Sequence, residues 1–502
     1  MPSRENFLRF GLTTVFVLAG CAVGPDYKKP HPELPDHFSQ TDPQLGIGED
    51  LDVTWWQSFD DEILNQLIVE AASNNRGVRQ AVARINESRA LANQAVSELL
   101  PGARLSGTYE KARNSNSRFP GSGGSTTGPS QGNFEYEVYT GSVDASWEVD
   151  LFGRLRRDLE AKNAEYDGTV AELHDVLRIL FSDLASHYVS LRGAQHRYAI
   201  AQSNEELQKK SLELVQSKFT YGEVPELDVE RAKTQLAQTQ ASIPPLENEV
   251  NMRMHRLAVL IGEAPRDLVE RLSAAPLPNI PSYAGPVTIG NPQALLRHRP
   301  DVRRAERTLA AATAQIGVKT AELFPIITID GSLGVEAPKF SLLDNGARIF
   351  RYGPTITWAA FDTGRLRQQI YAQEAETQAA LMAYEQTVLT SLEDVENAFS
   401  TFTTGKSSLL HYENAFLSSR KAFELADFQY REGALDFISV LDAQRTLLEV
   451  ETELSRSKEE VALSLVGIYK AFGSGWEAFE LVDTDEPFEQ VLPKGEEQEE
   501  AE

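Results

Sequence analysis

The sequence holds a single cysteine in 502 residues, Cys21. An intrachain disulfide and a cysteine-built metal site are therefore excluded. Basic residues are scarce: 48 Lys and Arg stand against 74 Asp and Glu, a formal charge of −26. With no basic patch, recognition of nucleic-acid phosphates is excluded as a function. No window reaches the ~20 consecutive apolar residues of a membrane-spanning helix. That argues against an inner-membrane transporter but leaves transmembrane strands open, because their sequence signal is weak. The eight histidines are scattered, and no His-Glu-x-x-His, Gly-x-Ser-x-Gly or phosphate-cradling glycine loop is present. Asp183 and His187 stand four apart, which fits a plain helix pair better than a general base. The chain is read as no enzyme, with no cofactor and no metal centre.

What is there is written twice. Trp147 to Gly153-Arg154 recurs as Trp358 to Gly364-Arg365, an offset of 211 residues. The same offset carries Phe219-x-x-Gly222 onto Tyr430-x-x-Gly433, Val229-x-x-Ala232 onto Val440-x-x-Ala443, and Gly262 onto Gly473. Upstream the offset is 224: Val78-Arg79-x-Ala81 matches Val302-Arg303-x-Ala305, and Leu100-Pro101 matches Phe324-Pro325. The length difference falls in a Gly/Ser stretch of the first copy, Gly121 to Gly132. Length changes collect in surface loops, so the two copies are read as equivalent structural arms.

The N-terminus adds an address. Arg4 and Arg9 precede a short apolar run and then Leu18-Ala19-Gly20-Cys21, the layout of a secretory signal. Leu-Ala-Gly-Cys resembles a bacterial lipobox, which makes Cys21 the expected site of a covalent lipid. Acyl chains there would anchor the chain firmly.

Each copy carries a long stripe of apolar residues at steps of three and four. The first reads Val170, Leu173, Leu177, Phe181, Leu184, Tyr188 and Leu191; the second reads Leu381, Tyr384, Val388, Leu392, Val395, Phe399 and Phe402. This is a heptad-like seam for helices packed side by side. Helices of roughly 65 residues would be about 100 Å long, too long for a globular core. Turns at Gly222 and Gly433 end them, and helices return. Ile243-Pro244-Pro245 is expected to break the first returning helix, since proline removes donors and clashes.

Between the helices lie the only strand-like windows. Ile327, Ile329, Leu333 and Val335 alternate with polar residues, as do Phe350, Tyr352, Ile356 and Trp358. Period two with one apolar face fits outer-membrane strands, so these side chains are expected to face lipid. In the first copy, Phe134, Tyr136 and Val138 open on one face and Val143, Ala145 and Trp147 on the other, so a bulge near Tyr139 to Gly141 is expected. Four strands cannot close a barrel, and open edges in lipid leave backbone groups unsatisfied. Several chains must pool their strands. The predicted fold is mainly α with a small membrane β-barrel: long antiparallel helices forming an α-barrel tunnel, plus four transmembrane strands per chain. A trimer would have a 12-stranded barrel and a 12-helix tunnel.

Residues 1–20 are assigned to a signal peptide, 21–60 to a lipidated extended segment, 61–265 to repeat one, 266–290 to a linker, 291–474 to repeat two and 475–502 to an acidic tail. Within the repeats the strand pairs fall at 103–147 and 326–358, the long helices at 154–220 and 365–431, and the returning helices at 226–262 and 437–472.

Several blocks together resemble the TolC-like outer-membrane efflux proteins, in the NodT/OprM-type lipoprotein branch. They are Cys21-Ala22-Val23-Gly24-Pro25-Asp26-Tyr27, Trp55-Trp56-Gln57-Ser58-Phe59-Asp60-Asp61, Arg299-Pro300-Asp301-Val302-Arg303 and Leu441-Asp442-Ala443-Gln444-Arg445. The resemblance implies a homotrimer lipidated at Cys21, spanning the outer membrane and reaching into the periplasm. Its partners would be a periplasmic adaptor, an inner-membrane RND-type transporter and outer-membrane lipid. The chain would be the passive exit duct of a tripartite efflux pump. Asp442 would narrow the periplasmic aperture; Asp228, in the first copy at the position of Ser439, would add charge there. The tip turns at Gly222, Gly433 and Tyr430 would meet the adaptor. The alternative is an adaptor-like or structural coiled-coil lipoprotein, against which stand two equal hairpins alternating with two strand pairs.

Overall fold

The computed structural model describes residues 22–39, 45–47, 52–113, 135–273, 279–283, 287–289, 291–338, 345–482 and 489–494. Cys21, the signal peptide, the Gly121 to Gly132 stretch and the Glu496 to Glu502 acids lie outside them. In chain order the elements begin with β1 (Leu45–Ile47), α1 (Glu62–Asn74), α2 (Arg76–Glu98), β2 (Gly102–Arg113), β3 (Glu135–Val149), α3 (Arg154–Thr220) and α4 (Glu226–Ile261). There follow α5 (Pro265–Ser273), β4 (Val287–Ile289), α6 (Pro292–His298), α7 (Pro300–Ala321), β5 (Ile326–Ala337) and β6 (Arg348–Thr357). Last come α8 (Thr363–Arg431), α9 (Phe437–Phe472), β7 (Phe479–Val482) and β8 (Gln490–Pro493). The chain divides into two compact units: Met1–Lys29 with Glu87–Tyr166 and Arg307–Leu381, and Pro30–Asn86 with Asp167–Glu306 and Met382–Glu502.

The first unit is built on a four-stranded antiparallel sheet, β2-β3-β5-β6, in which the two strand pairs meet along β3 and β5. Its register is unbroken, from Gly102 opposite Ser146 to Arg113 opposite Glu135, and from Tyr139 opposite Ala337 to Val149 opposite Ile327. The expected bulge near Tyr139 to Gly141 is therefore absent. Tyr139 sits in plain register opposite Tyr109, rings 4.8 Å apart, and that cross-strand pair holds the ladder straight. Tyr136 and Val138 simply occupy the other face.

Below the sheet, the N-terminal segment runs against the start of α3. Val23 N–H donates to Phe152 O at 3.1 Å, and Arg157, buried, binds Asp26 at 2.6 Å and Glu160 at 2.7 Å. Gly153 has φ +81°, and a side chain there would meet Ala22 at 2.7 Å. Tyr27 packs beside Ala164, Ala310 and Ala311.

The second unit is helical. Leu173, Leu177, Phe181, Leu184, Tyr188 and Leu191 of α3 are all buried, as are Tyr384, Val388, Val395, Phe399 and Phe402 of α8. The seam read from period 3.6 is thus the packed face. Trp55, Trp56 and Phe59, from a short turn, fill the centre with Phe38, Phe472 and Tyr469. Asp61 caps α1, accepting from Ile63 N and Leu64 N, and takes the Tyr188 hydroxyl at 2.7 Å.

One helix differs from expectation. α4 runs unbroken through Pro244 and Pro245. Both prolines are exposed in the single chain, so carbonyls that lose their helical donors can turn to water. Ser242 Oγ also donates to Thr239 O at 2.7 Å. Long helix on either side supplies the cooperativity that a short helix would lack.

Candidate functional site

The sheet has two unlike faces. Register places Leu105, Tyr109, Val143, Trp147, Ile327, Ile329, Leu333, Phe350, Tyr352 and Ile356 on one side. Leu333 is 67% exposed, Phe350 76% and Tyr352 82% in the single chain. Trp358 follows β6 and donates its indole N–H to Leu323 O at 3.0 Å; Trp147 does the same to Leu99 O at 3.0 Å. Six of the seven strand side chains expected to face lipid share this one face, and Trp358 lies just past the end of β6. Leu105 and Tyr109 were missed, although their odd spacing with Ala103 and Gly107 was visible.

The opposite face is polar. Asp144 accepts from the hydroxyls of Ser332 at 2.6 Å, Ser142 at 2.8 Å and Ser106 at 3.0 Å. Asp330 accepts from Ser146 at 2.6 Å and Thr328 at 3.0 Å. Arg104 and Arg351 share a rung with Asp144 and Ser332. The apolar face ends where Lys111 pairs with Glu137 at 2.9 Å. Among the described residues, β2 and β6 have a partner strand on one side only.

The second site is the pair of hairpin tips. Gly222 and Gly433 both adopt φ +74°. Glu223 N–H bonds Lys218 O and Gly222 N–H bonds Phe219 O, each at 2.9 Å; Ala434 N–H bonds Gln429 O at 2.9 Å and Gly433 N–H bonds Tyr430 O at 3.1 Å. This is the same helix-closing pattern twice, with the left-handed residue glycine both times. A side chain at either would meet nothing within 4 Å, so the demand is conformational, not steric.

Both tips close over one cluster: Val215, Val229, Ala232, Ala426, Tyr430, Phe437 and Val440. Tyr430 is thereby corrected as a surface contact. It is only 4% exposed, 5.4 Å from the Phe437 ring and capped by Lys218 Nζ at 4.8 Å. Burial, with Asp228 and Glu223 nearby, raises its hydroxyl pKa above the usual value.

Asp442 is exposed on α9 in a groove with Ser419, Ala422, Ile438 and Ser439. Asp228 differs: it pairs with Arg231 at 3.3 Å and its side chain is largely covered. Arg231 stands in the first copy where Asp442 stands in the second. Asp183 bonds Lys470 Nζ at 3.0 Å, so the expected pairing with His187 gives way to an interhelical one. Among the described residues no cluster of three or more His, Cys, Asp or Glu could hold a metal, and no helix is long and apolar enough to cross a membrane.

Two-faced strands and paired helical hairpins define an outer-membrane channel subunit, and the chain belongs to that family. It matches Outer membrane efflux protein over residues 67–263 and 291–474, which takes in both repeats. The family is one of channels, not of enzymes. Nodulation protein T of Rhizobium leguminosarum bv. trifolii is 31% identical over 487 residues, 94% of this chain and 98% of that protein. The toluene efflux pump outer membrane protein TtgF of Pseudomonas putida is 28% identical over 486 residues, 94% and 98% respectively. The outer-membrane channel OprN superposes with a TM-score of 0.81 at 37% identity, covering 91% of this chain and all of that one.

Proposed function

We propose that three copies of this chain form the exit duct of a tripartite efflux pump, lipid-anchored at Cys21. The observation that carries this reading is the four-stranded sheet, apolar on one face and polar on the other, with both edges unpaired. A sheet edge in lipid leaves backbone donors and acceptors without partners. Joining β6 of one copy to β2 of the next removes every edge, and three copies supply twelve strands. A second feature agrees. On α8, Met382, Leu389, Leu410, Leu417, Leu425 and Phe428 are exposed in the single chain. The intervals from Met382 to Leu389 and from Leu410 to Leu417 are heptads, the spacing of a helix face awaiting another helix.

Solutes would pass along the polar face, delivered by a periplasmic adaptor and an inner-membrane RND-type transporter. The Gly222 and Gly433 turns would meet the adaptor, and Asp442 would line the aperture. Asp228 takes no part in that ring, because Arg231 already neutralises it. The test is native mass spectrometry of protein extracted from outer membranes, with planar-bilayer recording. Trimers that conduct ions are expected; a stable monomer with no conductance would overturn the reading.

A further inference from the structure

We infer that Gln444 is a positioning residue for the aperture, and that its buried amide biases the tip of the second hairpin toward opening. The inference rests on the exit-duct reading above. α9 is held unevenly along its length. Near its end, Leu465, Val466, Ile468, Tyr469 and Phe472 are buried apolar side chains. At the tip, Phe437 and Val440 join the common cluster. Between Val440 and Leu454 the only buried side chain is Gln444, 2% exposed.

Among the described residues neither Gln444 Nε2 nor Oε1 has a hydrogen-bond partner. α3 adds Gln208, 3% exposed, whose Oε1 is also without one. Farther along α3 and α9 polar side chains pair with one another: Arg197 pairs with Glu459, His196 Nδ1 lies 3.0 Å from Ser455 Oγ, and Glu451 bonds Asn204, while Ser457 Oγ is a smaller buried group without a partner. Around Asp442, Leu441 and Ala443 reach the tip cluster only partly buried, and the one fully buried side chain of the stretch that must move is an amide. A buried amide without partners is costly, and a motion that hydrates it recovers that cost. The apolar tip cluster opposes the motion. Gln444 loads it, two residues from the carboxylate it would carry aside.

The test compares wild type with Gln444→Leu, which keeps the volume and removes the polar atoms, and Gln444→Asn, which keeps an amide. Gln444→Met replaces the leucine variant should that one fail to assemble. Hydrogen exchange across residues 437–450 of the trimer in detergent should slow on the order of tenfold in the apolar variant. It should stay near wild type in Gln444→Asn, and bilayer open probability should fall in parallel in the apolar variant. Apolar variants whose tip exchanges as fast as wild type would overturn the inference. The exchange readout needs no ion current, so a wild type that never conducts counts against the exit-duct reading and leaves Gln444 to be judged by exchange.

Discussion

The indole of Trp55 lies flat on the ring of Tyr469, centroids 5.3 Å apart and planes within 11°. Trp55 is fully buried and also meets Trp56 edge-on at 5.7 Å. The stack ties the segment before α1 to the end of α9. Trp55→Ala should cost about 3–5 kcal/mol, the range for emptying a large aromatic site. Denaturant unfolding of the purified protein reads this; a loss below about 1 kcal/mol would show that the stack is incidental.

Pro244 and Pro245 sit where the second copy has Ser455 and Arg456. The double replacement Pro244→Ser with Pro245→Arg restores two helical donors on an exposed face. Interior prolines cost about 3 kcal/mol each relative to good helix formers. The replacement should raise the melting temperature and leave conductance intact. A lower melting temperature would mean that the prolines serve packing against another copy.

His174 stacks on Trp476, ring centroids 3.9 Å apart. Burial, then the Arg303 and Lys494 charges, lower its pKa from 6.5 to about 4. The unfolded chain therefore binds a proton in a window where the folded chain does not. Stability is full above about pH 6.5, declines as pH falls toward 4, and loses nothing further below that from this group. His174→Phe keeps a ring and removes the titration. Melting curves at about pH 7.5 and about pH 5 should differ less for the variant than for wild type, by at most about 3 kcal/mol at the site. Equal pH sensitivity would assign the effect to other groups.

Asp442 is a lone exposed carboxylate. In the trimer we propose, three copies of it at the axis would attract cations and repel anions. Asp442→Ala trimers in planar bilayers should lose part of their cation preference, whereas Asp228→Ala should change it little. Unchanged selectivity in Asp442→Ala would remove Asp442 from the conduction path.

The helical architecture was legible because both seams repeat with period 3.6 and burial follows that period, from Leu173 to Leu191 and from Tyr384 to Phe402. The left-handed tip residues were legible too, since glycine is what such a turn admits. β3 was harder. At the Lys111–Glu137 rung the face that carries Val143 and Trp147 turns polar, and Tyr136 and Val138, flanking that rung on the opposite face, imitated a bulge. Tyr430 misled for a different reason. An aromatic beside a turn reads the same whether it faces outward or folds into a cluster built from Val215 and Val440. Arg231 three residues after Asp228 was a readable pairing that went unread. The prolines misled because their local cost, present even on an exposed face, is absorbed by the long helix on either side. Gln444 and the grip of Arg299 on Asp301, Asp394 and Ala471 O depend on neighbours far away in sequence, which spacing cannot reveal.

The Arg231–Asp228 pair has a further consequence for assembly. Its counterpart positions in the other hairpin are Asp442 and Ser439, so at this level one finger of each subunit carries a closed ion pair and the other a carboxylate with no such partner. Six fingers around a trimeric mouth would alternate between these two characters. A docking protein that touched all of them would face two kinds of berth, and would have to supply two kinds of complement.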